Sequence, residues 1–396
     1  MDTELYEQKL QQANQLLATT DLDAWITFVR ETSLQADPAL SLIYPYGVTW
    51  DTAFIVTSAG DRIAIVGRYD VENAERLGVF DRVLGYDESI EPVLVETLQE
   101  LAPDRLGVNS SRSDPSADGL TSGMRTRLLE FCAAAGIDSE QVVSAQEFLA
   151  SLRGRKTPGE VDRIRAAIET TERLYQEVED RITPGASERE LASFLKKRVE
   201  DLGLEYAWDP HANPIVNTGP ESAIGHAAPS DLQVERGHIV HFDFGIRQDG
   251  FCSDLQRVWY VLEEGQHEPP PAVQATWKAV RGALLAGAHA LRPGARGWQV
   301  DAAAREALQG AGLPDYKHAF GHHIGRVAHD GATILGPRWP RYGDTPEGVI
   351  EPGNVFAIEL GAKAEAHGWV YLEENVLVEE DGLEWLSQPQ EEIWLV

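Results

Sequence analysis

The chain has 396 residues, a length that predicts two domains rather than one. Its composition is that of a globular protein, with 43% hydrophobic and 25% charged residues, and no apolar run approaches the roughly 20 residues that a membrane-spanning helix needs. The formal net charge of -30 disfavours nucleic acid as a partner, because an acidic surface repels phosphate backbones, and it favours the binding of metal cations.

The N-terminal segment and the cysteines predict a cytoplasmic protein. The first 17 residues are acidic and amphipathic and lack the pattern of a signal peptide. Cys132 and Cys252 show neither paired nor Cys-x-x-Cys spacing, which fits a reducing compartment and argues against disulfides and a zinc ribbon. We therefore expect a cytoplasmic location and no membrane partner.

The first 150 residues or so alternate between helix and strand, a pattern typical of an α/β domain. An amphipathic helix is predicted over 5–18, and three strand-like runs that are rich in apolar residues follow it at 24–29, 53–57 and 62–66. The remaining predicted elements of this part are a helix over 91–101, a strand over 105–108 and a helix over 123–135.

A helix start marks the predicted domain boundary. Thr157, Pro158 and Glu160 supply an N-cap, a proline in the first turn and an acid in the first turn, and a capping box at Ser187–Glu190 begins a second helix. We therefore predict a non-catalytic N-terminal α/β domain over residues 1–155 and a second domain over 156–396. In the second domain, strands and Gly/Pro loops follow residue 205, and helices are predicted near 272–290 and 298–311.

Two acids stand in the arms of a predicted hairpin at 237–260, which is otherwise rich in Val, Ile, Phe and Trp. A two-residue loop puts Asp243 and Asp254 on one face, because side chains alternate with a period of two. They lie directly opposite if Gln248 and Asp249 form the loop, and diagonally if Asp249 and Gly250 form it. Facing like charges destabilise a half-buried sheet, so a shared proton or a cation is expected unless the face is solvated.

Three further segments carry residues of metal-ligand type. Two of them place acids within strands that look buried, where an unpaired charge costs several kcal/mol, and the third is a histidine cluster among glycines. Two Asp, two Glu and one His match a site for two hard divalent cations, since oxygen ligands suit manganese, magnesium or iron and one imidazole admits zinc or cobalt. The residues are His318, His322, His323 and His329 in the first segment, Glu359 in the second, and Glu373 and Glu374 in the third.

Spacing alone leaves the ligand set open at two places. Glu359 and Glu373 are 14 residues apart, an even number, so they share a face only if a bulge or an odd-numbered loop joins their strands. The residue pattern by itself does not choose between Glu373 and Glu374, or between His322 and His323.

The motifs resemble those of the pita-bread metallopeptidases, and the proline-specific branch of prolidases and aminopeptidases P is the most similar. The match runs in order over about 240 residues through five motifs, which read Asp243-Phe244-Gly245, Ser253-Asp254-Leu255-Gln256-Arg257, Gly321-His322-His323-Ile324-Gly325, Ile358-Glu359-Leu360-Gly361 and Leu372-Glu373-Glu374. The resemblance implies that the metal ligands are Asp243, Asp254, His322, Glu359 and Glu373.

The resemblance also implies a fold and an activity. The fold is of α/β (α+β) class, with an N-terminal creatinase-like α/β domain followed by a C-terminal pita-bread catalytic domain. The activity is hydrolysis of Xaa-Pro peptide bonds by a hydroxide that bridges two divalent metal ions, manganese first and zinc, cobalt or iron as alternatives. Glu359 would be both ligand and proton shuttle, and His226 and His329 would bind the substrate and stabilise the developing oxyanion.

Departures from the family pattern leave the substrate preference open. Leu360 replaces the usual proline after Glu359, and Tyr371 replaces an arginine common in proline-specific members, so Tyr371 is the third predicted substrate-binding residue. We expect a Xaa-Pro dipeptidase that acts as a homodimer on small peptides with proline at the second position. The alternatives are a Xaa-Pro aminopeptidase, a metal-free creatinase-type enzyme and, in another class, a catalytically silent protein-binding module.

Overall fold

The computed structural model describes residues 3–225 and 227–396, so Met1, Asp2 and His226 lie outside the described residues. The chain divides into two compact units, Met1–Gly159 and Glu160–Val396. Within the described ranges, none of the helices is both long and apolar enough to cross a membrane.

The first unit is a mixed sheet with helices on its two faces. Its elements are α1 (Thr3–Leu17), β1 (Ala24–Val29), α2 (Leu40–Ile43), β2 (Thr52–Thr57), β3 (Arg62–Gly67), α3 (Val71–Leu77), β4 (Arg82–Tyr86), α4 (Glu91–Leu101), β5 (Leu106–Val108), α5 (Ser122–Ala134), β6 (Val142–Ser144) and α6 (Gln146–Gly154). The strand order is β4-β3-β2-β1-β5-β6, and the pairs β1–β2 and β2–β3 are antiparallel whereas the others are parallel.

Two apolar clusters cover opposite faces of this sheet. Residues of α1, α2 and α6 pack against one set of strand side chains, and residues of α4 and α5 pack against the alternate set. Strand β2 is buried at all six positions, which is why its sequence shows a continuous apolar run instead of alternation. The predicted helices and strands of this part are confirmed to within one or two residues at each end.

The second unit is built around a larger antiparallel sheet. Its elements are α7 (Pro158–Glu179), α8 (Glu188–Asp201), β7 (Glu205–Tyr206), β8 (Ile215–Thr218), β9 (Ile239–Phe244), β10 (Ile246–Gln248), β11 (Phe251–Cys252), β12 (Leu255–Tyr260), α9 (Pro271–Ala290), α10 (Gly297–Gly310), β13 (Gly321–His323), β14 (Val355–Ala364), β15 (Gly368–Glu379), β16 (Gly382–Trp385) and β17 (Trp394–Leu395). The predicted capping box is present, since Ser187 accepts from the Glu190 amide and the Glu190 carboxylate accepts from the Ser187 amide.

The hairpin of β9 to β12 has the diagonal register of the two that the sequence allows. Asp249 and Gly250 form the loop with φ values of 49° and 83°, which are those of a tight two-residue turn. Gln248 pairs with Phe251 and Asp243 pairs with Gln256, so the register is continuous along both arms. Asp254 stands two positions before Gln256, the partner of Asp243, and therefore lies on the same face as Asp243.

A three-residue loop joins β14 and β15. Ala364 pairs with Gly368, so residues 365–367 form the loop, and the pairing places Glu359 directly opposite Glu373. This is the odd-numbered connection that the spacing of the two glutamates requires. The larger sheet has the order β13-β14-β15-β12-β9-β8, so β14 and β15 lie beside the hairpin arm β12.

On the face of this sheet opposite the acids, apolar side chains pack into a core and buried charged side chains form an ion pair. Ile358, Leu360 and Leu372 belong to an apolar cluster with residues of α9 and α10. Leu360 therefore contributes to the core, on the side away from Glu359. Nearby, Arg257 is 1% exposed and donates to both carboxylate oxygens of Glu374 at 3.1 Å, so the hairpin arm and β15 share a buried ion pair.

Replacement of Arg257 by methionine is expected to destabilise the protein by about 3–5 kcal/mol, because Glu374 would stay buried without its partner. The double variant Arg257→Met, Glu374→Gln should recover part of that loss. The matched control is Arg189→Met, which breaks an exposed pair with Asp231 and should leave the urea midpoint almost unchanged, because solvent screens such a pair. Urea unfolding measures all three, and equal losses for Arg257→Met and Arg189→Met would contradict the prediction.

Candidate metal centre

Four neighbouring strands form one transverse row of polar side chains. Glu359 on β14 pairs with Glu373 on β15, Glu373 pairs with Gln256 on β12, and Gln256 pairs with Asp243 on β9. Neighbouring strands lie about 4.8 Å apart, so three carboxylates and one amide follow one another across the sheet. Residues directly opposite each other share a face, and the row therefore gathers acids that are up to 130 positions apart in sequence, as Asp243 and Glu373 are.

The next row adds Asp254 and His322. His322 pairs with Ala357 on β14, and Asp254 is held at the start of β12 by Asn375, whose side chain bonds to the Asp254 amide at 3.2 Å and carbonyl at 2.7 Å. His322 Nε2 lies 3.8 Å from Asp254 Oδ2 and 3.7 Å from Glu373 Oε1. Ligand atoms of Asp254, His322 and Glu373 all lie within 4.8 Å of one another, a spacing that suits a single cation.

These acids lie in a setting that penalises their charged forms. Asp254 is 5% exposed and Glu373 is 1% exposed, which excludes a solvated face as the explanation of their presence. Burial raises the pKa of Asp243, Asp254 and Glu373 well above the ordinary value, and the neighbouring carboxylates raise it further. Among the described residues, no lysine or arginine forms an ion pair with these three acids or with Glu359.

His322 and His241 add no positive charge to the site at neutral pH. Burial lowers the pKa of His322, although Glu359 acts in the opposite direction, and burial lowers the pKa of His241 to about 4. His322 is therefore the neutral imidazole that metal coordination requires. Its Nδ1 lies 3.1 Å from the Ala328 carbonyl oxygen and 3.2 Å from that of His323, which leaves Nε2 directed at the acids.

Because successive side chains of a strand point to opposite faces, the structure distinguishes Glu373 from Glu374 and His322 from His323. Glu373 lies in the acidic row, whereas Glu374 lies on the other face and binds Arg257. His322 lies beside Asp254 and Glu373, whereas His323 is buried against Phe356, with ring centroids 4.1 Å apart. The structure thus brings together all five predicted ligands and excludes the neighbours that the residue pattern could not.

Two of the three predicted substrate residues, His329 and Tyr371, lie at the margin of this cluster. His329 is exposed, and its ring stands 4.3 Å from that of His322 in an edge-to-face arrangement. Tyr371 pairs with Gly361, two pairs beyond Glu359 and Glu373, and its ring lies 6.0 Å from that of His318 and 5.7 Å from that of His241. The prediction for His226 falls outside the described residues.

Three residues of the site were missed by the sequence analysis. Gln256 and His241 stand two positions from Asp254 and Asp243 along their strands, so the two-residue period places them on the face of the acids. That period was the available signal for both. Asn375 stands two positions beyond Glu373 and could have been found in the same way, but no pattern in the sequence indicates that it holds the backbone of Asp254.

The donor set fits divalent metal ions. Four carboxylates and one neutral imidazole lie on one face of the sheet without a compensating lysine or arginine in the described chain, and the pKa of Asp243, Asp254 and Glu373 is raised. A divalent cation is therefore the neutralising partner that the chemistry favours. The identity of the metal is not decided by these ligands.

Comparison with known proteins places this arrangement in a family. A sequence model described as metallopeptidase family M24 matches residues 162–380, which is more than half of the chain. A Xaa-Pro dipeptidase of Pyrococcus furiosus is 29% identical over 248 residues, which cover 62% of this chain and 67% of that protein.

Solved structures share the fold along nearly the whole chain. A Xaa-Pro dipeptidase from Bacillus anthracis superposes with a TM-score of 0.74 at 22% identity and covers 99% of this chain and 100% of that one. An X-Pro aminopeptidase from Thermotoga maritima superposes with a TM-score of 0.73 at 23% identity and covers 97% of this chain and 100% of that one. The predicted fold class, an N-terminal α/β domain followed by a pita-bread domain, is confirmed.

The raised pKa values predict how stability depends on pH when divalent ions are removed. A raised pKa means that the folded chain binds protons more tightly than the unfolded chain, whose carboxyls titrate near about pH 4. The contribution of these acids is therefore fully present below about pH 4 and is lost as the pH rises through the raised values. In urea unfolding of EDTA-treated protein, this part of the stability should fall with rising pH, and added Mn²⁺ should restore more stability at about pH 8 than at about pH 5.

Glu373→Gln is the control for this prediction, because it removes one of the acids with a raised pKa. The variant should show a shallower pH dependence than the parent protein after EDTA treatment. An identical pH dependence in both proteins would show that the buried acids do not carry the effect.

Proposed function

The chain belongs to metallopeptidase family M24, and from this premise we propose that it is an exopeptidase that hydrolyses Xaa-Pro peptide bonds. The observation that carries the proposal is the convergence of Asp243, Asp254, His322, Glu359 and Glu373 on one face of the sheet. We place the catalytic domain at residues 156–396 and propose a non-catalytic role for residues 1–155. The silent module and the metal-free enzyme are disfavoured, because both would leave these acids without a neutralising partner.

The five residues would hold two divalent cations, and manganese is our first choice because four of the five ligands are carboxylates. Bound cations of this kind supply Lewis acidity and make water a competent nucleophile at neutral pH. The cytoplasmic location, which the N-terminal segment and the cysteines predict, and the homodimer both stay predictions.

Glu359 is placed to move a proton in this reaction. Its side chain is 22% exposed, which makes it more accessible than that of Glu373, and its Oε1 lies 3.8 Å from His318 Nδ1. Oε2 accepts a hydrogen bond from Gln256 at 3.0 Å, so the two oxygens have different surroundings. We propose that Glu359 accepts a proton from the attacking water and delivers it to the leaving nitrogen.

His329 is the proposed partner of the scissile carbonyl. It is exposed and stands against His322, so a substrate oxygen that reached the acids would pass beside its ring. Removal of one such donor typically lowers the rate 10²–10³-fold. By the family resemblance we assign the same role to His226.

Two candidate substrate lengths follow from different observations. The dipeptidase assignment is supported by the names of the relatives from Pyrococcus furiosus and Bacillus anthracis. The aminopeptidase assignment is supported by the relative from Thermotoga maritima and by Tyr371, a neutral side chain among His241, His318 and Trp369. A dipeptide presents its free carboxylate close to the scissile bond, where Tyr371 offers aromatic surface and a hydroxyl but no cation.

A peptide assay tests the function and decides between the two lengths. The full chain, stripped of metal and then supplied with Mn²⁺, should hydrolyse a Xaa-Pro dipeptide or a Xaa-Pro-Yaa tripeptide and should leave the matched Xaa-Ala peptides intact. Release of the N-terminal residue is followed by chromatography with and without Mn²⁺. Absence of hydrolysis of all Xaa-Pro peptides in the metal-loaded protein would refute the proposed function.

Two variants are expected to separate metal binding from substrate activation. Asp254→Ala should lose bound metal and activity together, because the cation pair would lack a carboxylate. His329→Ala should keep its metal and lose activity about 10²–10³-fold, since the ring is a proposed carbonyl partner rather than a ligand.

Elemental analysis and turnover, measured on both variants, check these expectations. Metal loss in His329→Ala, or unchanged turnover in that variant, would contradict the role proposed for His329. Near-normal turnover of Asp254→Ala at limiting metal would contradict the metal centre itself.

A further inference from the structure

Gln256 is the one uncharged member of the four-strand row. It stands between Glu373 and Asp243, is 3% exposed, and lies on the face of the acids. The N–H groups of a buried amide between carboxylates need hydrogen-bond partners, because an unsatisfied buried donor is destabilising. The contacts of its two amide atoms therefore indicate its role.

The amide nitrogen of Gln256 bonds to both glutamates. Its Nε2 donates to Glu359 Oε2 at 3.0 Å and to Glu373 Oε2 at 2.9 Å. In each glutamate the other oxygen, Oε1, is left for a different partner. Glu373 Oε1 lies 3.7 Å from His322 Nε2, and Glu359 Oε1 lies 3.8 Å from His318 Nδ1. In each of the two carboxylates, Oε2 therefore accepts from the Gln256 amide, and Oε1 faces an imidazole.

The orientation of the Gln256 amide is itself supported by buried polar groups. Its Oε1 lies 2.9 Å from His241 Nε2, and His241 Nδ1 lies 3.1 Å from Asn217 Oδ1. Asn217 donates from Nδ2 to Ser222 Oγ at 2.9 Å and to the Ala223 carbonyl at 2.6 Å, so its amide is anchored at the opposite end. The side chains of Gln256, His241 and Asn217 form a chain of contacts from the carboxylates to the segment after β8.

We propose that Gln256 is a positioning residue that raises the affinity of the site for divalent cations by fixing the side chains of Glu359 and Glu373, to each of which its amide donates a hydrogen bond. The proposal rests on the proposed function, because it presupposes that these two carboxylates bind the cation. His241 would support it as a second positioning residue, through the carbonyl oxygen of Gln256.

A neutral donor suits this task better than a charged one. Two carboxylates on directly paired strands repel each other, and an amide offsets part of that repulsion through its N–H groups. A lysine or arginine at the same position would neutralise the acids and compete with a cation for them, whereas the amide leaves their charge available. Partners of this kind around metal ligands typically change metal affinity 10–100-fold when they are removed.

The test compares metal affinity in Gln256→Met with that of the parent protein. Methionine is unbranched, of similar length and without an N–H donor. Titration calorimetry with Mn²⁺ on the full, metal-stripped chain should show affinity weaker by about 10–100-fold. The matched control is Gln390→Met, which removes another buried glutamine whose amide binds only the Val258 backbone and should leave Mn²⁺ affinity unchanged.

The outcomes separate this inference from the proposed function. If the parent protein binds no Mn²⁺, the proposed function fails. If the parent binds Mn²⁺ and cleaves Xaa-Pro peptides while Gln256→Met binds Mn²⁺ equally well, only the role of Gln256 is overturned. If Gln256→Met does not fold, His241→Phe decides, because it keeps a ring beside Tyr371 but removes the partner of Gln256 Oε1. A weaker Mn²⁺ affinity in that variant supports the proposal, and an unchanged affinity overturns it.

Discussion

Mutual repulsion of carboxylates on neighbouring strands is the constraint around which the catalytic half of this protein is organised. Asp243, Glu359 and Glu373 follow one another across four strands, with Asp254 one row away, and the described residues offer them no lysine or arginine. Such an arrangement is stable only with a partner that carries positive charge, because burial and the neighbouring acids all disfavour ionisation. A divalent cation supplies this positive charge, and metallopeptidases also use such a cation in catalysis.

The rest of the sheet keeps its other charges away from this face. Arg257 and Glu374 carry charge within one or two positions of the site, but the alternation of side chains sends them to the opposite face, where they neutralise each other. Leu360 follows the same rule and packs in the core beside Leu372. The strands are apolar along most of their length, but the sheet has one acidic face and one face on which apolar side chains pack and the charged side chains are paired.

Polar groups without charge complete the site. Gln256 holds two glutamates, Asn375 holds the backbone of Asp254, and His241 contacts the side-chain oxygens of Gln256 and Asn217. Each of them fixes a geometry without offsetting the negative charge that attracts the metal. Tyr371 is a further neutral side chain at the edge of this site, beside the rings of His241 and His318.

The sequence by itself determined the features that depend on near neighbours. Helix starts at Pro158 and Glu188, the face shared by Asp243 and Asp254, and the kinds of ligand all follow from local spacing and side-chain chemistry. Only the tertiary structure decided which face each glutamate of the pair at 373–374 occupies, because that depends on a three-residue loop and on the pairing of Gln256 with Glu373 across 117 positions. Register between distant strands is a property of the whole sheet, and no local pattern specifies it.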